Sequence, residues 1–357
     1  MKRIIAAVAA VTAFTGVSAQ NTRLLTADKH NEYGLVYTLP VTALRIEVTA
    51  LRTVREAGPY WQYAKKYMGT DKVVREDSEQ WQVKDVKVTP YGVADTGRQY
   101  LMQLKPGALT YICVGADNML AAINKEVDIP VAPVSERATR EGRRSKMDAY
   151  LEYVDGDFIS SQSSAKQAQM LAESLMEVRD AKVSLSRGTA DNMPTDGRQL
   201  ELMLASLARQ ERSFTAAFTG LEYTDTISRT FTYIPSDETR GTLFRMSDFA
   251  GFVAADDFSG DPVTITVSER HDGELPVNAD GEEKKLPKDA VMYMIPGTAL
   301  ISITLDGTTL WSGNCELAQY GVPFGLQPSL FSDRRSRSFA VFDTATGALK
   351  EIGDVTE

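Results

Sequence analysis

Strict alternation of apolar and polar side chains is the strongest constraint on the fold of this 357-residue chain. The clearest case runs over residues 44–50, where Leu44, Ile46 and Val48 alternate with polar neighbours. A period of two is typical of a β-strand that buries one face and leaves the other in water. The pattern predicts a strand within residues 34–55, with Pro40 at its start.

A tyrosine-rich stretch follows at residues 58–69, GPYWQYAKKYMG. A Gly-Pro start and a Gly end indicate a short helix, because Pro is tolerated in the first helical turn. At 100° per residue, Tyr60, Tyr63 and Tyr67 share one face, with Trp61 at its margin. We expect this face to pack on the preceding sheet, with the tyrosyl hydroxyls at the rim of the contact.

The remaining periodicity predicts an α+β fold that is predominantly β. Two β-rich domains are expected, the second of them sandwich-like, with a helical pair between them. The predicted division is residues 20–123 for the first domain, 124–159 for an exposed connection, 160–220 for the helical pair and 221–357 for the second domain. Further strands are predicted at 81–88, 100–104, 109–114 and 120–123, and then at 229–234, 263–267, 291–295, 299–305, 309–311 and 339–342.

Capping and turn residues place several of these boundaries. A serine cluster at 160–164 offers N-caps for the first helix of the pair, which is predicted to end near Asp180. Asp196 caps the second helix, and Gly220 ends it. Asp306-Gly307 predicts a tight hairpin between two strands of the second domain.

The first nineteen residues have the pattern of a secretory signal peptide. Lys2 and Arg3 precede an apolar run that ends in Val17-Ser18-Ala19, which carries small residues where a signal peptidase requires them. Cleavage after Ala19 leaves Gln20 first, so no lipoprotein anchor is indicated. We therefore expect an exported protein of the periplasm or cell surface that is not integral to the membrane.

The net charge of −9 argues against a nucleic-acid partner, because phosphate binding needs a basic face. One basic cluster, Arg334-Arg335-Ser336-Arg337, is interpreted as a solvated loop. The partner expected instead is another envelope protein or a surface polymer. The sequence leaves the oligomeric state open.

Two cysteines, Cys113 and Cys315, allow two alternatives. An exported protein meets an oxidising compartment, where this pair can persist as a disulfide that ties the halves of the chain together. Each cysteine also lies in an apolar, strand-like context, which is typical of a buried free thiol.

No catalytic or cofactor signature is complete. Ser163 and Lys166 have the Ser-x-x-Lys spacing of acyl-transferases, but the accompanying motifs are missing, which favours a helix cap. The two histidines, His30 and His271, are too far apart for a zinc motif, and phosphate-binding glycine loops are absent. We expect no cofactor, no metal site and no enzymatic activity.

Acidic pairs and aromatic residues support one rival hypothesis, a protein that binds or hydrolyses glycans. The nearest carboxylate pairs, Asp155 with Asp157 and Asp256 with Asp257, lie in turn-like contexts that favour solvated acids. The aromatic residues that could stack on a sugar are Tyr60, Trp61, Trp81 and Trp311.

Three segments of the chain resemble a family of exported, uncharacterised proteins of Gram-negative anaerobes, known only as a domain of unknown function. They are Asn31–Pro40 with the following Gly58–Tyr67, then Gly188–Gly197, and Ile295–Leu300 through Ala318–Gly321. The resemblance implies an envelope role and carries no catalytic residue. It also implies O-glycosylation at Asp-Thr followed by a small or apolar residue, which Thr226 and Thr344 fit.

Overall fold

The computed structural model describes residues 21–24, 34–103, 111–115, 117–129, 147–332 and 337–355. The predicted signal peptide, His30 and most of the basic cluster lie outside the described residues. The strands are β1 (Asn21–Leu24), β2 (Leu35–Glu56), β3 (Ser78–Gln103), β4 (Ile112–Val114), β5 (Leu120–Ile123), β6 (Leu221–Tyr233), β7 (Arg240–Ser247), β8 (Gly251–Val253), β9 (Asp261–His271), β10 (Val291–Leu305), β11 (Thr308–Leu326), β12 (Ser338–Phe342) and β13 (Leu349–Asp354). The helices are α1 (Ala64–Met68), α2 (Gly156–Ser160), α3 (Ser164–Arg187), α4 (Gly197–Thr219) and α5 (Ser329–Ser332), with 3₁₀ helices at Trp61–Tyr63 and Met147–Tyr153.

The first sheet is antiparallel, with the order β1-β3-β2-β6. The strand predicted at 34–55 is confirmed as β2. The segments predicted separately at 81–88 and 100–104 belong to the single strand β3, whose pairing with β2 jumps from Ala94 to Gln99. The polar residues between these two positions interrupt the alternation, which explains the split prediction. Pro40 lies inside β2 at this same irregularity, where Pro is tolerated.

The second sheet is also antiparallel, with the order β11-β10-β9-β7-β8. The hairpin predicted at Asp306-Gly307 is confirmed between β10 and β11. Both residues have positive φ, 45° and 75°, as a two-residue primed turn requires. The strands predicted at 291–295 and 299–305 are one strand, β10, with a register irregularity beside Gly297.

The two sheets face each other across a shared apolar core, which forms a β-sandwich. Alternate residues of β2 fill one side of this core, and β7, β9, β10 and β11 fill the other. Phe231 of β6 and Phe244 of β7 stack across it, with ring centroids 4.3 Å apart. The prediction of a predominantly β fold is therefore confirmed. The sandwich was predicted within residues 221–357, whereas one of its two sheets contains β2 and β3 from the first part of the chain.

Strand pairing crosses the predicted division of the chain. β6, from the segment assigned to the second domain, pairs along its whole length with β2 of the first. In the third sheet, ordered β13-β12-β5-β4, β5 pairs with β12. A second core lies beneath this sheet, and the ends of β2 and β10 contribute Tyr37, Leu39 and Met294 to it. Two sheets thus combine strands from both sides of the helical pair.

The helices pack beside the sandwich around a third core. Ser163 caps α3 and Asp196 caps α4, as predicted, although α3 extends past Asp180 to Arg187. Tyr60 and Ala64 of the tyrosine-rich stretch pack against α3 and α4 here, so the prediction that this stretch packs on the preceding sheet is wrong. Both helices begin more than 100 residues after Tyr60.

The connection predicted at 124–159 is exposed only in part. Residues 130–146 lie outside the described residues. The segment after them carries Tyr150 and Phe158, which are buried in the helical core. Among the described residues, no helix is long and apolar enough to span a membrane.

Candidate functional site

An open groove of about 580 Å³ lies between α1 and the N-terminal and middle turns of α3. Both polar and apolar side chains line it. They are Lys66, Tyr67, Gln169, Ala172, Glu173, Met176 and Glu177. We call this feature the α1–α3 groove.

The wall on α3 follows from helical geometry. Residues 169, 172, 173, 176 and 177 are spaced by three and four positions, so they lie on one helix face. Ala172 is buried at the base of the wall, whereas Met176 has 43% of its surface exposed. The groove therefore combines an apolar floor with an exposed, flexible thioether, which adapts to varied partners.

The opposite wall comes from the last turn of α1. Gly69, with φ of 68°, ends this helix in the left-handed conformation that glycine adopts without strain. The Tyr67 ring packs near Phe218 of the helical core, with centroids 6.1 Å apart. Lys66 Nζ lies 4.7 Å from the centre of the Tyr67 ring and donates to its hydroxyl at 3.1 Å. This wall therefore presents an aromatic ring together with a positive charge.

The α3 wall is acidic. Gln169 Nε2 donates to Glu173 Oε1 at 2.9 Å, which orients that carboxylate, and Glu177 follows one turn later. An ion cluster fixes α3 to α4, since Arg179 and Lys182 donate to Glu211 at 3.0 and 2.9 Å. The hydrogen bond from Lys182, supported by that from Arg179, holds the pKa of Glu211 below its usual value. The groove is thus supported by a fixed helix pair and suits a ligand with an apolar part and a cationic group.

The aromatic residues predicted to stack on a sugar do not converge on this groove. Tyr60 is 5% exposed, and its hydroxyl donates to Gln167 Oε1 at 3.2 Å. Burial raises the pKa of this hydroxyl. Trp61 is half-buried, with the Arg75 guanidinium 5.8 Å from its ring.

The other two candidates belong to the sandwich. Trp81 is buried and donates from Nε1 to Glu79 at 2.7 Å, while Gly251 lies directly against its ring. Trp311 packs against the same core from β11. The four rings are therefore divided between the helical layer and the sandwich.

Both cysteines are free thiols in the structure. Cys113 is half-buried in β4, and Cys315 is buried in β11, where burial raises the pKa of its thiol.

The two predicted glycosylation sites differ in access. Thr226 is exposed on β6, whereas Thr344 is half-buried in the turn before β13. Modification of either threonine stays a prediction.

Three of the other chemical candidates have local structural roles. Ser163 accepts a hydrogen bond from Lys166 N, as a helix cap does. Asp155 caps α2 through Phe158 N at 2.8 Å, and Asp257 accepts from Ser259 N at 2.9 Å. That bond from Ser259 lowers the pKa of Asp257. Across the described residues, the structure places no three metal-ligating side chains together.

Comparison with known families decides the classification. A family described as a domain of unknown function (DUF4831) matches residues 33–350. The chain belongs to this family. No curated protein and no solved structure matches the chain.

Two exposed aromatic residues of this DUF4831 protein were not singled out from its sequence. Phe249 and Phe258 are 78% and 83% exposed, in the β7–β8 turn and the β8–β9 loop. The Arg245 guanidinium lies 4.4 Å from the Phe258 ring centre and donates to Ala255 O and Gly260 O. Phe249 and Phe258 each follow an aspartate in a turn-rich segment, and this sequence pattern does not predict an exposed aromatic ring. The place of Met176 in the groove is not predicted for a different reason: the groove forms only where α1 and α3 lie side by side in the folded chain.

Proposed function

We propose that this protein is an exported, non-enzymatic binding module of the cell envelope, and that the α1–α3 groove holds a segment of another protein. The groove is the observation that carries the proposal, because it is a sizeable concave surface with convergent polar groups beside apolar ones. The proposed export rests on the signal-peptide pattern of residues 1–19.

The chemistry of the groove defines the segment that it would hold. Glu173 and Glu177 favour a lysine or arginine, and Met176 with Ala172 favours a neighbouring apolar side chain. A short segment with an apolar anchor beside a basic residue satisfies both requirements. The fixed contact of α3 with α4 keeps the site pre-organised, which lowers the entropic cost of binding.

Site-specific photo-crosslinking in native cells tests this proposal. A photoreactive residue at Met176 samples the groove, and one at Leu202 is the matched control, since Leu202 is 63% exposed on α4 and does not line the groove. We expect a defined protein adduct from position 176 that is absent from position 202. Identical adduct patterns from the two positions, or none from either, would contradict the proposal.

A glycan is the second candidate ligand, because the Tyr67 ring lines the same groove as the amide of Gln169 and the carboxylate of Glu173. Aromatic faces and hydrogen-bonding side chains of this kind suit a sugar as well as a peptide. A glycan array probed with the wild-type protein and with the variant Tyr67→Ala separates the two candidates. If the wild-type protein binds a glycan and the Tyr67→Ala variant does not, the ligand of the groove is a surface polymer rather than a peptide.

A further inference from the structure

Strand β6 forms an edge of the first sheet. It pairs with β2 through all 13 of its residues, and no strand among the described residues pairs with its other side. An unpaired edge of this length presents a row of main-chain donors and acceptors that can accept another strand. Such an edge is a ready surface for strand addition.

The sequence of β6 is complementary to itself in the antiparallel direction. Ile227 is its central residue, and the four positions on either side of Ile227 carry similar or oppositely charged side chains at equal distances from it. In an antiparallel pair centred there, the opposed residues are Thr226 with Ser228, Asp225 with Arg229, Thr224 with Thr230, Tyr223 with Phe231, Glu222 with Thr232 and Leu221 with Tyr233. Hydroxyl residues thus meet on the outer face, while opposite charges and aromatic rings meet on the inner face.

The charged residues select this register over its neighbours. Asp225 already faces Arg52 of β2. A shift of two residues in the β6–β6 pair would place Arg229 opposite Tyr223 or Ile227, and Asp225 opposite Ile227 or Phe231. Opposite charges directly across a strand pair are stabilising, and like charges are destabilising. Arg229 is exposed and lies at the rim of the sandwich, where its guanidinium is 5.1 Å from the Phe252 ring centre.

We propose that the partner of the β6 edge is a second copy of this chain, joined by antiparallel β6–β6 pairing about a two-fold axis at Ile227. Thirteen opposed residues supply about a dozen main-chain hydrogen bonds. The pairing makes one continuous sheet from the first sheets of two subunits, with the isologous geometry of a two-fold dimer. This inference goes beyond the proposed binding function and does not depend on it.

Cysteine pairs on the outer face test the register. The double variant Thr226→Cys, Ser228→Cys places each new thiol opposite a new thiol of the second copy. The matched control, Thr224→Cys with Ser228→Cys, uses the same strand and the same number of thiols, but no new thiol lies opposite another new thiol of the second copy. We expect mild oxidation to give a disulfide-linked dimer only with the first variant, mapped by mass spectrometry to residues 226 and 228. Equal linkage in both variants, or in neither, would overturn the proposed register.

Charge exchange tests the interface in solution without a new covalent bond. In the dimer, Asp225→Arg would place an arginine opposite Arg229 of the second copy, and Arg229→Asp would place an aspartate opposite its Asp225. Each single variant should therefore raise the dimer dissociation constant, measured by sedimentation equilibrium, roughly 10-fold or more. A mixture of the two variants restores both opposite-charge pairs, and we expect it to form a heterodimer. Circular dichroism confirms that each variant is folded before the comparison.

The mixture makes this test decisive, because a purely structural effect of either substitution would persist in it. A wild-type chain that is monomeric up to high concentration would overturn the proposal. A dimer that neither single variant weakens would overturn it equally.

Discussion

The side-chain amide of Gln319 bonds to both main-chain polar atoms of Thr42. Its Oε1 accepts from Thr42 N at 3.0 Å, and its Nε2 donates to Thr42 O at 3.1 Å. The Thr42 hydroxyl, which is fully buried, accepts from Ala318 N at 2.9 Å and donates to Ala345 O at 2.8 Å. These bonds join β2, β11 and the turn before β13 at one point between the two cores.

Thr42→Val should therefore destabilise the protein. The substitution keeps the shape of the side chain but leaves Ala318 N and Ala345 O without their partner, which costs about 1–3 kcal/mol per buried group. Chemical denaturation measures the loss of unfolding free energy. The control is Thr53→Val, whose hydroxyl lies on the exposed face of β2, and we expect it to change stability by less than about 0.5 kcal/mol. Equal effects of the two substitutions would show that the buried hydroxyl of Thr42 contributes no more to stability than the exposed hydroxyl of Thr53.

Phe244→Ala should destabilise the sandwich by about 3–5 kcal/mol, because it removes a fully buried ring that stacks on Phe231. Phe249→Ala is the control, since that ring is exposed.

We also expect thermal unfolding of the wild-type protein to show one cooperative transition, because β6 belongs to the same sheet as β2. Two separated transitions, with only one affected by Phe244→Ala, would instead support two independent domains.

Glu211→Gln should lower stability at neutral pH by no more than about 1 kcal/mol, because Arg179 and Lys182 are partly exposed. The folded pKa of Glu211 is depressed, so its contribution is present above the unfolded pKa and is lost as the pH falls through the folded pKa. Denaturation at pH 7 and at pH 3 measures the difference from wild type, which should shrink at the lower pH. Glu201→Gln, on the exposed side of α4, should have little effect at either pH. A difference that grows on acidification would contradict this prediction.

The two thiols should react with iodoacetamide at different rates. Cys113 is half-buried and should be alkylated first, whereas Cys315 is buried with a raised thiol pKa and should react mainly after unfolding. Mass spectrometry of the native and the denatured protein distinguishes one modified cysteine from two. Failure of both cysteines to react in denaturant until a reductant is added would indicate the disulfide alternative.

Local features of this chain could be predicted from its sequence. The alternation in β2, the caps at Ser163 and Asp196 and the turn at Asp306-Gly307 depend on residues a few positions apart. The pairing of Arg55 with Glu222 joins residues 167 positions apart, and periodicity carries no information on which distant strands meet. The α1–α3 groove was missed for the same reason, since Lys66 and Met176 become neighbours only when the helical layer is assembled.

The central position of β2 also constrains the order of folding. This strand is synthesised early, but its neighbour β6 follows more than 150 residues later, and β11 follows later still. Its pairing with β3 joins consecutive strands, whereas its pairing with β6 is non-local. Non-local pairing is slow to form because a long loop must close first. The first half of the chain therefore cannot complete its sheet alone. Until β6 arrives, β2 has an open apolar strand edge that can pair with other chains.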